Sequence, residues 1–170
     1  DPPATVYLYD DADNVLKVTD AESHRTEYTY NARRQVRTAK DALDRVTENT
    51  YDPVSGNLLT SRDALGQFTT YTYDARGNVE TQTVTVDGVP HVTRYAYDVY
   101  GNLERETDAL GHETSFTHDP NGNRLTQTTT RGIFTCTAAG CTQTSVETLT
   151  TGYVYDLAGR LLETHNPDGT

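Results

Sequence analysis

The feature that most constrains this chain is a column of aromatic residues at near-constant spacing: Tyr9, Tyr30, Tyr51, Tyr73, Tyr97, His118 and Tyr155. Successive members lie 21 to 24 residues apart, except His118 to Tyr155, which are 37 apart. A fixed period of this length is the mark of one supersecondary element stacked many times. The neighbouring positions keep the same register. A threonine stands four residues before each member: Thr5, Thr26, Thr47, Thr69, Thr93, Thr114 and Thr151. Two before stand Tyr7, Tyr28, Asn49, Tyr71, Tyr95, Phe116 and Tyr153, and one after stand Asp10, Asn31, Asp52, Asp74, Asp98, Asp119 and Asp156. Eleven of the twelve tyrosines fall in two of these columns; Tyr100 alone does not.

Within each repeat the pattern reads as two antiparallel strands joined by tight turns. The first turn is Asp-x-x-Gly directly after the aromatic, as in Asp74 to Gly77, Asp98 to Gly101, Asp119 to Gly122 and Asp156 to Gly159. An Asp at the first turn position accepts a bond from the backbone two residues on, and Gly at the fourth takes a left-handed conformation at little cost. The same chemistry recurs at Asp63 to Gly66, Asp108 to Gly111 and Asn166 to Gly169. Period-2 alternation places the threonine and both aromatics of each repeat on one sheet face. It predicts aromatic ladders running across the sheet, with Val15, Val36, Leu58, Val79, Leu103 and Leu161 covering the neighbouring strand. The tyrosines are therefore read as packing residues. The expected fold is all-β, an antiparallel β-meander with about two strands per repeat and almost no helix.

The repeats are not uniform. Asp13, Ser23, Arg34 and Asp44 stand where Gly is expected, so those turns are expected to differ in type. Asp52-Pro-Val-Ser-Gly56 carries one extra residue, and the sixth repeat has His118 for Tyr and Arg124 for the aliphatic. Val86-Asp-Gly-Val89 marks a two-residue hairpin. Residues 125–153 read as a long Thr/Val-rich hairpin inserted in repeat six, with Cys136 and Cys141 facing each other across its tip. The whole chain, 1–170, is read as a single array of seven repeats cut at both ends from a longer one.

Composition narrows the function classes. Only 34% of the chain is hydrophobic, with no Trp or Met, whereas threonine reaches 31 copies, a residue suited to a pleated, half-buried surface. The net charge of −11 disfavours a nucleic-acid partner. No apolar run reaches membrane-spanning length. Asp10-Asp11-Ala-Asp13-Asn14 is the densest oxygen cluster, but it lacks the Gly and the terminal Glu of an EF-hand loop, so no metal or cofactor is expected. The five histidines (His24, His91, His112, His118, His165) occupy different repeat positions, and no catalytic grouping is supported.

The motifs Tyr73-Asp74-Ala-Arg-Gly77-Asn78, Tyr97-Asp98-Val-Tyr-Gly101-Asn102 and Tyr155-Asp156-Leu-Ala-Gly159-Arg160 resemble those of the Rhs/YD-repeat family. On that resemblance the structural motif residues are Tyr9, Asp10, Tyr30, Tyr51, Asp52, Gly56, Tyr73, Asp74, Gly77, Tyr97, Asp98, Gly101, Asp119, Gly122, Tyr155, Asp156 and Gly159. Relatives are large surface or secreted proteins, in several of which the repeats wind into a hollow β-shell that encloses a toxin or effector. The resemblance thus implies a curved sheet or part of a β-shell, a secreted or cell-surface location, and a structural, non-catalytic role. Expected partners are neighbouring repeats, copies of the chain itself, an enclosed effector or surface glycans. No segment matches the self-cleaving core of some relatives, so no catalytic residue carries over. Outside the cytosol, Cys136 and Cys141 are expected to form a disulfide; in a reducing compartment they would be free thiols. A zinc site lacks two further ligands nearby. The alternatives are an extracellular adhesion or carbohydrate-binding module, a subunit of an extracellular β-rich fibre and, remotely, a hydrolase.

Overall fold

The computed structural model describes residues 4–137 and 140–167, with the backbone alone for 133–137 and 140–144. No helix occurs among the described residues. Fourteen strands follow one another in chain order, each hydrogen-bonded to the next. They fall into two compact units, residues 1–91 and 92–170.

The first unit holds β1 (Val6–Tyr9), β2 (Val15–Thr19), β3 (Arg25–Tyr30), β4 (Val36–Lys40), β5 (Val46–Tyr51), β6 (Leu58–Arg62), β7 (Phe68–Tyr73), β8 (Val79–Val86) and the start of β9 (Val89–Tyr97). The second holds the rest of β9, then β10 (Leu103–Thr107), β11 (Glu113–His118), β12 (Arg124–Thr137), β13 (Gly140–Tyr155) and β14 (Leu161–His165). Every aromatic column member ends an odd-numbered strand. The aliphatic column opens the even-numbered ones.

Alternation holds along the strands. In β3 and β5 the threonine and both following column residues are half-buried, while the residues between them are exposed. Alternation breaks at the same point in each repeat, and once more between Ile133 and Phe134 in β12. Thr29 pairs with Thr38, but Tyr30 pairs with Val36, so Arg37 is an unpaired bulge residue. Register partners share a face, so the bulge brings Val36 to the tyrosine side; strict alternation would leave it beside Thr38. The same shift precedes Tyr9, Tyr51, Tyr73, His118 and Tyr155.

On the opposite face, cross-strand threonines join hydroxyl to hydroxyl: Thr29 with Thr38 at 2.6 Å, Thr50 with Thr60 at 2.6 Å, Thr72 with Thr81 at 2.7 Å and Thr117 with Thr126 at 2.7 Å. Such pairs are a unit of sheet stabilisation, and they explain the abundance of threonine better than propensity alone. The core is minimal. Among the described residues Phe116 is the one buried hydrophobic side chain, and it keeps 8% of its surface exposed.

Phe116 also accounts for the irregular sixth repeat. Arg124, paired with His118 across the bulge, lays its guanidinium 4.5 Å over the Phe116 ring. The long stem and planar head cover the ring where an aliphatic would otherwise pack.

Strands β12 and β13 reach beyond their neighbours. β11 pairs with β12 only as far as Thr129, whereas β12 and β13 pair with each other from Thr126 to Thr137. Arg131 and Glu147 face each other where the free hairpin begins, and Arg131 Nε donates to Glu147 Oε2 at 2.7 Å. The backbone makes Cys136 the register partner of Cys141. Their side chains, the tip at Ala138-Ala139 and most of the turn from Asn166 to Gly169 lie outside the described residues.

Candidate functional site: the turn and the tyrosine

The recurring functional element is the turn together with the tyrosine that precedes it. Eleven turns share one backbone pattern: the fourth residue's amide (the fifth, Gly56, in the longer turn at Asp52) donates to the first residue's carbonyl, and the first residue's amide donates to the carbonyl just beyond the turn. In the turn after Tyr73, the Gly77 amide meets the Asp74 carbonyl at 3.0 Å and the Asp74 amide meets the Asn78 carbonyl at 2.9 Å. Asp74 Oδ1 accepts the amides of Arg76 and Asn78 at 2.9 Å, and Oδ2 accepts Asn78 Nδ2 at 3.0 Å. One carboxylate therefore holds three donors.

The residue after the turn supplies the side-chain donor. Asn14, Asn102 and Asn123 do so for Asp10, Asp98 and Asp119, and Arg45 and Arg160 do so for Asp41 and Asp156. His24 and His112 lie 3.0 and 2.7 Å from Asp20 and Asp108, which makes these His–Asp contacts turn chemistry. Sequence reading missed this role. Its signal was there, since Asn, Gln, Arg or His occupies the position in each regular turn.

The four turns without glycine correct one expectation: they do not differ in type. Asp13, Ser23, Arg34 and Asp44 adopt φ of 63, 70, 61 and 60°, beside 75–90° for the glycines, and keep the same hydrogen bonds. Ladder bonds and the carboxylate or carboxamide on either side determine the geometry, and the misfit residue absorbs the strain. Arg34→Gly relieves a left-handed cost of about 1–2 kcal/mol, offset partly by greater chain freedom in the unfolded state. We expect a net gain of about 0.5–1 kcal/mol in denaturant titration. A net loss would mean that the Arg34 side chain stabilises the fold.

The turn at Asp52 absorbs its extra residue through Ser55. The Ser55 hydroxyl donates to Asp52 Oδ1 at 3.0 Å and accepts the Asn57 amide at 3.1 Å, replacing the carboxylate at that amide. Neighbouring turns also touch. Arg33 donates to the Val54 carbonyl at 2.6 Å and Gln35 Nε2 to the Gly56 carbonyl at 2.7 Å. Asn102 Oδ1 lies where it would stand 3.2 Å from a Cβ at position 122. Gly122 therefore answers to a close neighbour as well as to its φ of 84°.

The tyrosines bridge repeats. Tyr30, Tyr51 and Tyr73 donate their phenol hydroxyls to the carbonyls of Val15, Val36 and Leu58 at 2.7, 2.9 and 2.7 Å. Each acceptor lies fifteen residues back, at the start of the preceding even-numbered strand. This corrects the expected aromatic ladder. An even-numbered strand separates successive tyrosines, placing their backbones roughly 10 Å apart. The row therefore alternates aliphatic and aromatic: Val15, Tyr30, Val36, Tyr51, Leu58, Tyr73, Val79. Tyr7 and Tyr9 stack on one strand, their ring centroids 6.3 Å apart. Burial raises the phenol pKa of Tyr30 and Tyr73 above the usual value.

Electrostatics follow the hydrogen bonds. The side-chain donor of Asn78 and the turn amides hold the Asp74 carboxyl below the ordinary 3.8. Asp10, Asp98 and Asp119 are lowered first by Asn14, Asn102 and Asn123, Asp41 by Arg45, Asp20 by His24 and Asp108 by His112. Amide donors lead at Asp52, from Ser55, and at Asp156, from Arg160. A carboxyl whose folded value is depressed gives stability that is complete above its unfolded value and lost as pH falls through the folded one. The urea midpoint should therefore hold steady down to about pH 5 and fall steeply between about pH 4 and 2. Asp20 raises the His24 value, so that single contribution runs the other way: it is complete below 6.5 and fades above it. A midpoint unchanged from pH 5 to pH 2 would show that the turn carboxylates do not hold the fold.

Among the described residues, no group of three or more His, Cys, Asp or Glu is arranged to hold a metal ion. Asp10 has both oxygens engaged by Ala12 and Asn14.

A sheet that grows strictly in chain order, with one bulged hairpin per repeat, defines a tandem-repeat β-meander. The RHS Repeat family pattern matches residues 9–46, 51–90 and 97–133, more than half of the chain. This chain belongs to the Rhs-repeat family. No curated protein matches it by sequence. Among solved structures it is similar to the crystal structure of TcdB2-TccC3-Cdc42, with a TM-score of 0.72 and 18% identity over 95% of this chain. It is also similar to the Photorhabdus luminescens Tc holotoxin pore carrying TccC3-D651A (TM-score 0.69, 18% identity, 95% of this chain) and to TcdB2-TccC3 (0.70, 17%, 98%). At these identities the likeness is one of fold. The chain spans 9% of the length of each of those chains.

Proposed function

We propose that this chain is a stretch of the wall of a secreted or cell-surface β-shell, a non-catalytic scaffold that encloses a toxin or effector. The observation that carries the reading is the single-layer sheet: a wall of regular repeats with one buried hydrophobic side chain among the described residues and its chemistry spent on turns and inter-repeat bonds. The fold likeness to toxin-complex structures supports it. In this reading residues 1–170 form one array of seven repeats, and residues 125–153 are a hairpin insertion. The motif tyrosines, aspartates and glycines serve structure, and no cofactor takes part.

The test is to purify the native polypeptide that carries this sequence from culture supernatant and cell fractions, then image it and challenge it with protease. A hollow particle from the extracellular fraction, protecting an internal domain until the wall is unfolded, is the expected result. A solid particle, or one confined to the cytosol, overturns the reading.

We propose as well that Cys136 and Cys141 are bonded at the hairpin tip. They are cross-strand partners in the backbone, and an exported protein meets an oxidising environment. The bond closes a short loop, so removing it should leave global stability nearly unchanged. Thiol titration of freshly purified, denatured, unreduced protein should find no free thiol; two per chain would refute the bond.

A further inference from the structure

Strands β12 and β13 leave the sheet together as a hairpin, and each then has an outer edge with no neighbouring strand among the described residues. β11 pairs with β12 only as far as Thr129, and β14 pairs with β13 only as far as Gly152. An open strand edge presents unpaired amides and carbonyls on which another extended chain can build. Natural sheets guard such edges with charged residues, proline or a bulge. This hairpin guards one edge and not the other. β13 has Thr144 as an extra residue, because Ile133 pairs with Ser145 and Phe134 with Gln143, and it carries Glu147. On β12 every residue from Thr126 to Thr137 has a partner, and from Gly132 onward the strand holds neither charge nor proline.

At the foot of the β12 edge lies a cleft whose lining includes Glu106, Asp108, His112, Thr114, Thr130 and Arg131. Its charges are matched in pairs, with one exception. Asp108 lies 2.7 Å from His112, and Arg131 lies 2.6 Å from Glu147. Glu106 is half-buried and shares a register row with Thr114 and Thr129, which puts it on the same sheet face as Arg131. Its carboxylate has no hydrogen-bond or ion-pair partner among the described residues. The cleft is therefore suited to a lysine or arginine side chain.

We propose that the outer edge of β12, from Gly132 to Thr137, is a docking site for an extended segment of a different polypeptide. The segment adds as an antiparallel strand in line with β11, and a lysine or arginine at its C-terminal end reaches Glu106. Main-chain bonds along the edge supply the affinity, and the carboxylate selects the residue at the end. The strands of this chain that end in lysine or arginine are β4 and β6, and both are already paired on each edge. A second copy therefore has no matching strand to offer. The docking site does not depend on the wall enclosing a cargo.

Nuclear magnetic resonance titration of this chain with the end-blocked peptide Thr-Val-Thr-Val-Thr-Lys tests it. We expect saturable shifts of the β12 amides from Gly132 to Thr137. A second peptide with glutamate in place of the lysine should bind about fivefold more weakly, the upper range for a partly exposed ion pair. Glu106→Gln should erase that preference and Glu106→Lys should reverse it, with the far-ultraviolet spectrum unchanged in both variants. The lysine peptide N-methylated at its valines keeps its charge but loses edge donors, and it should not bind. No saturable shift in β12 overturns the proposal. So does a preference that survives in Glu106→Lys, or equal binding of the N-methylated peptide, which would reduce the contact to charge attraction alone. Amides from Gly132 to Thr137 that are protected from exchange in the chain alone, and lose protection on dilution, would assign the edge to a second copy and overturn it equally.

Discussion

Phe116→Ala lowers the stability of the second unit by about 3 kcal/mol, the low end for removing a buried Phe side chain. Phe116 is 8% exposed, in a sheet where other column residues are half-covered. Its ring lies beneath the Arg124 guanidinium and across from Gln127, so truncation leaves a void that the flanking strands cannot close without disturbing the bulge at Thr117/His118. Arg124→Ala should cost about 1 kcal/mol, from the lost cation–π contact and the newly wetted ring. Phe68→Ala is the control. Phe68 is 41% exposed on the threonine face, and its loss should cost under about 1 kcal/mol. Urea titration read by hydrogen exchange in β11 and β12 measures all three. A Phe116→Ala loss no larger than that of Phe68→Ala would mean that the ladder bonds, and not this ring, hold the unit together.

The strand assignments were legible because two local signals recur together along the chain, though individual repeats depart from one or the other. Thr-x-aromatic-x-aromatic fixes the faces by period-2 alternation, and Asp-x-x-Gly closes the chain directly afterwards. Both act within about ten residues, so neither needs knowledge of the partner strand. What the sequence hid depends on that partner. The reach of Tyr51 to the Val36 carbonyl crosses fifteen residues and depends on a register set jointly by two turns. The bulge at Arg37 is invisible in a single strand, because it exists only as a mismatch between two.

Arg34 shows the limit of residue preference. Alone, an arginine argues against a left-handed backbone, yet φ is 61° there. The Asn31 side chain accepts the amides of Arg33 and Gln35 at 2.9 and 3.0 Å, and the strands on either side are already paired. Two side-chain bonds and the flanking ladders, all needing one geometry, outweigh one strained dihedral. The residue after each turn was under-read for the opposite reason: its role is local, but Asn, Gln, Arg and His share only the capacity to donate. Arg124 was likewise seen as a departure from the aliphatic column, and its compensation lies across the bulge, on Phe116.

Tyr73→Ala destabilises the first unit by about 2–3 kcal/mol, and Tyr73→Phe by about 1. The ring is half-buried between the aliphatics Leu58 and Val79, so truncation forfeits roughly half of the 150–250 Å² that a fully buried aromatic contributes, at about 25 cal/mol per Å². The phenylalanine variant keeps that area and removes only the 2.7 Å bond from the hydroxyl to the Leu58 carbonyl. Burial also raises the Tyr73 phenol above its usual value. Ionising it costs the hydroxyl its donor proton, so the contribution of this bond is complete at neutral pH and disappears as pH rises through the folded value. Tyr100→Ala supplies the reference, because an 84% exposed turn-tip ring should cost under about 0.5 kcal/mol. If Tyr73→Phe costs as much as Tyr73→Ala, the hydroxyl bridge and not ring packing joins one repeat to the one before. If neither differs from Tyr100→Ala, the tyrosine column is a surface feature and the repeats are held together by backbone ladders alone.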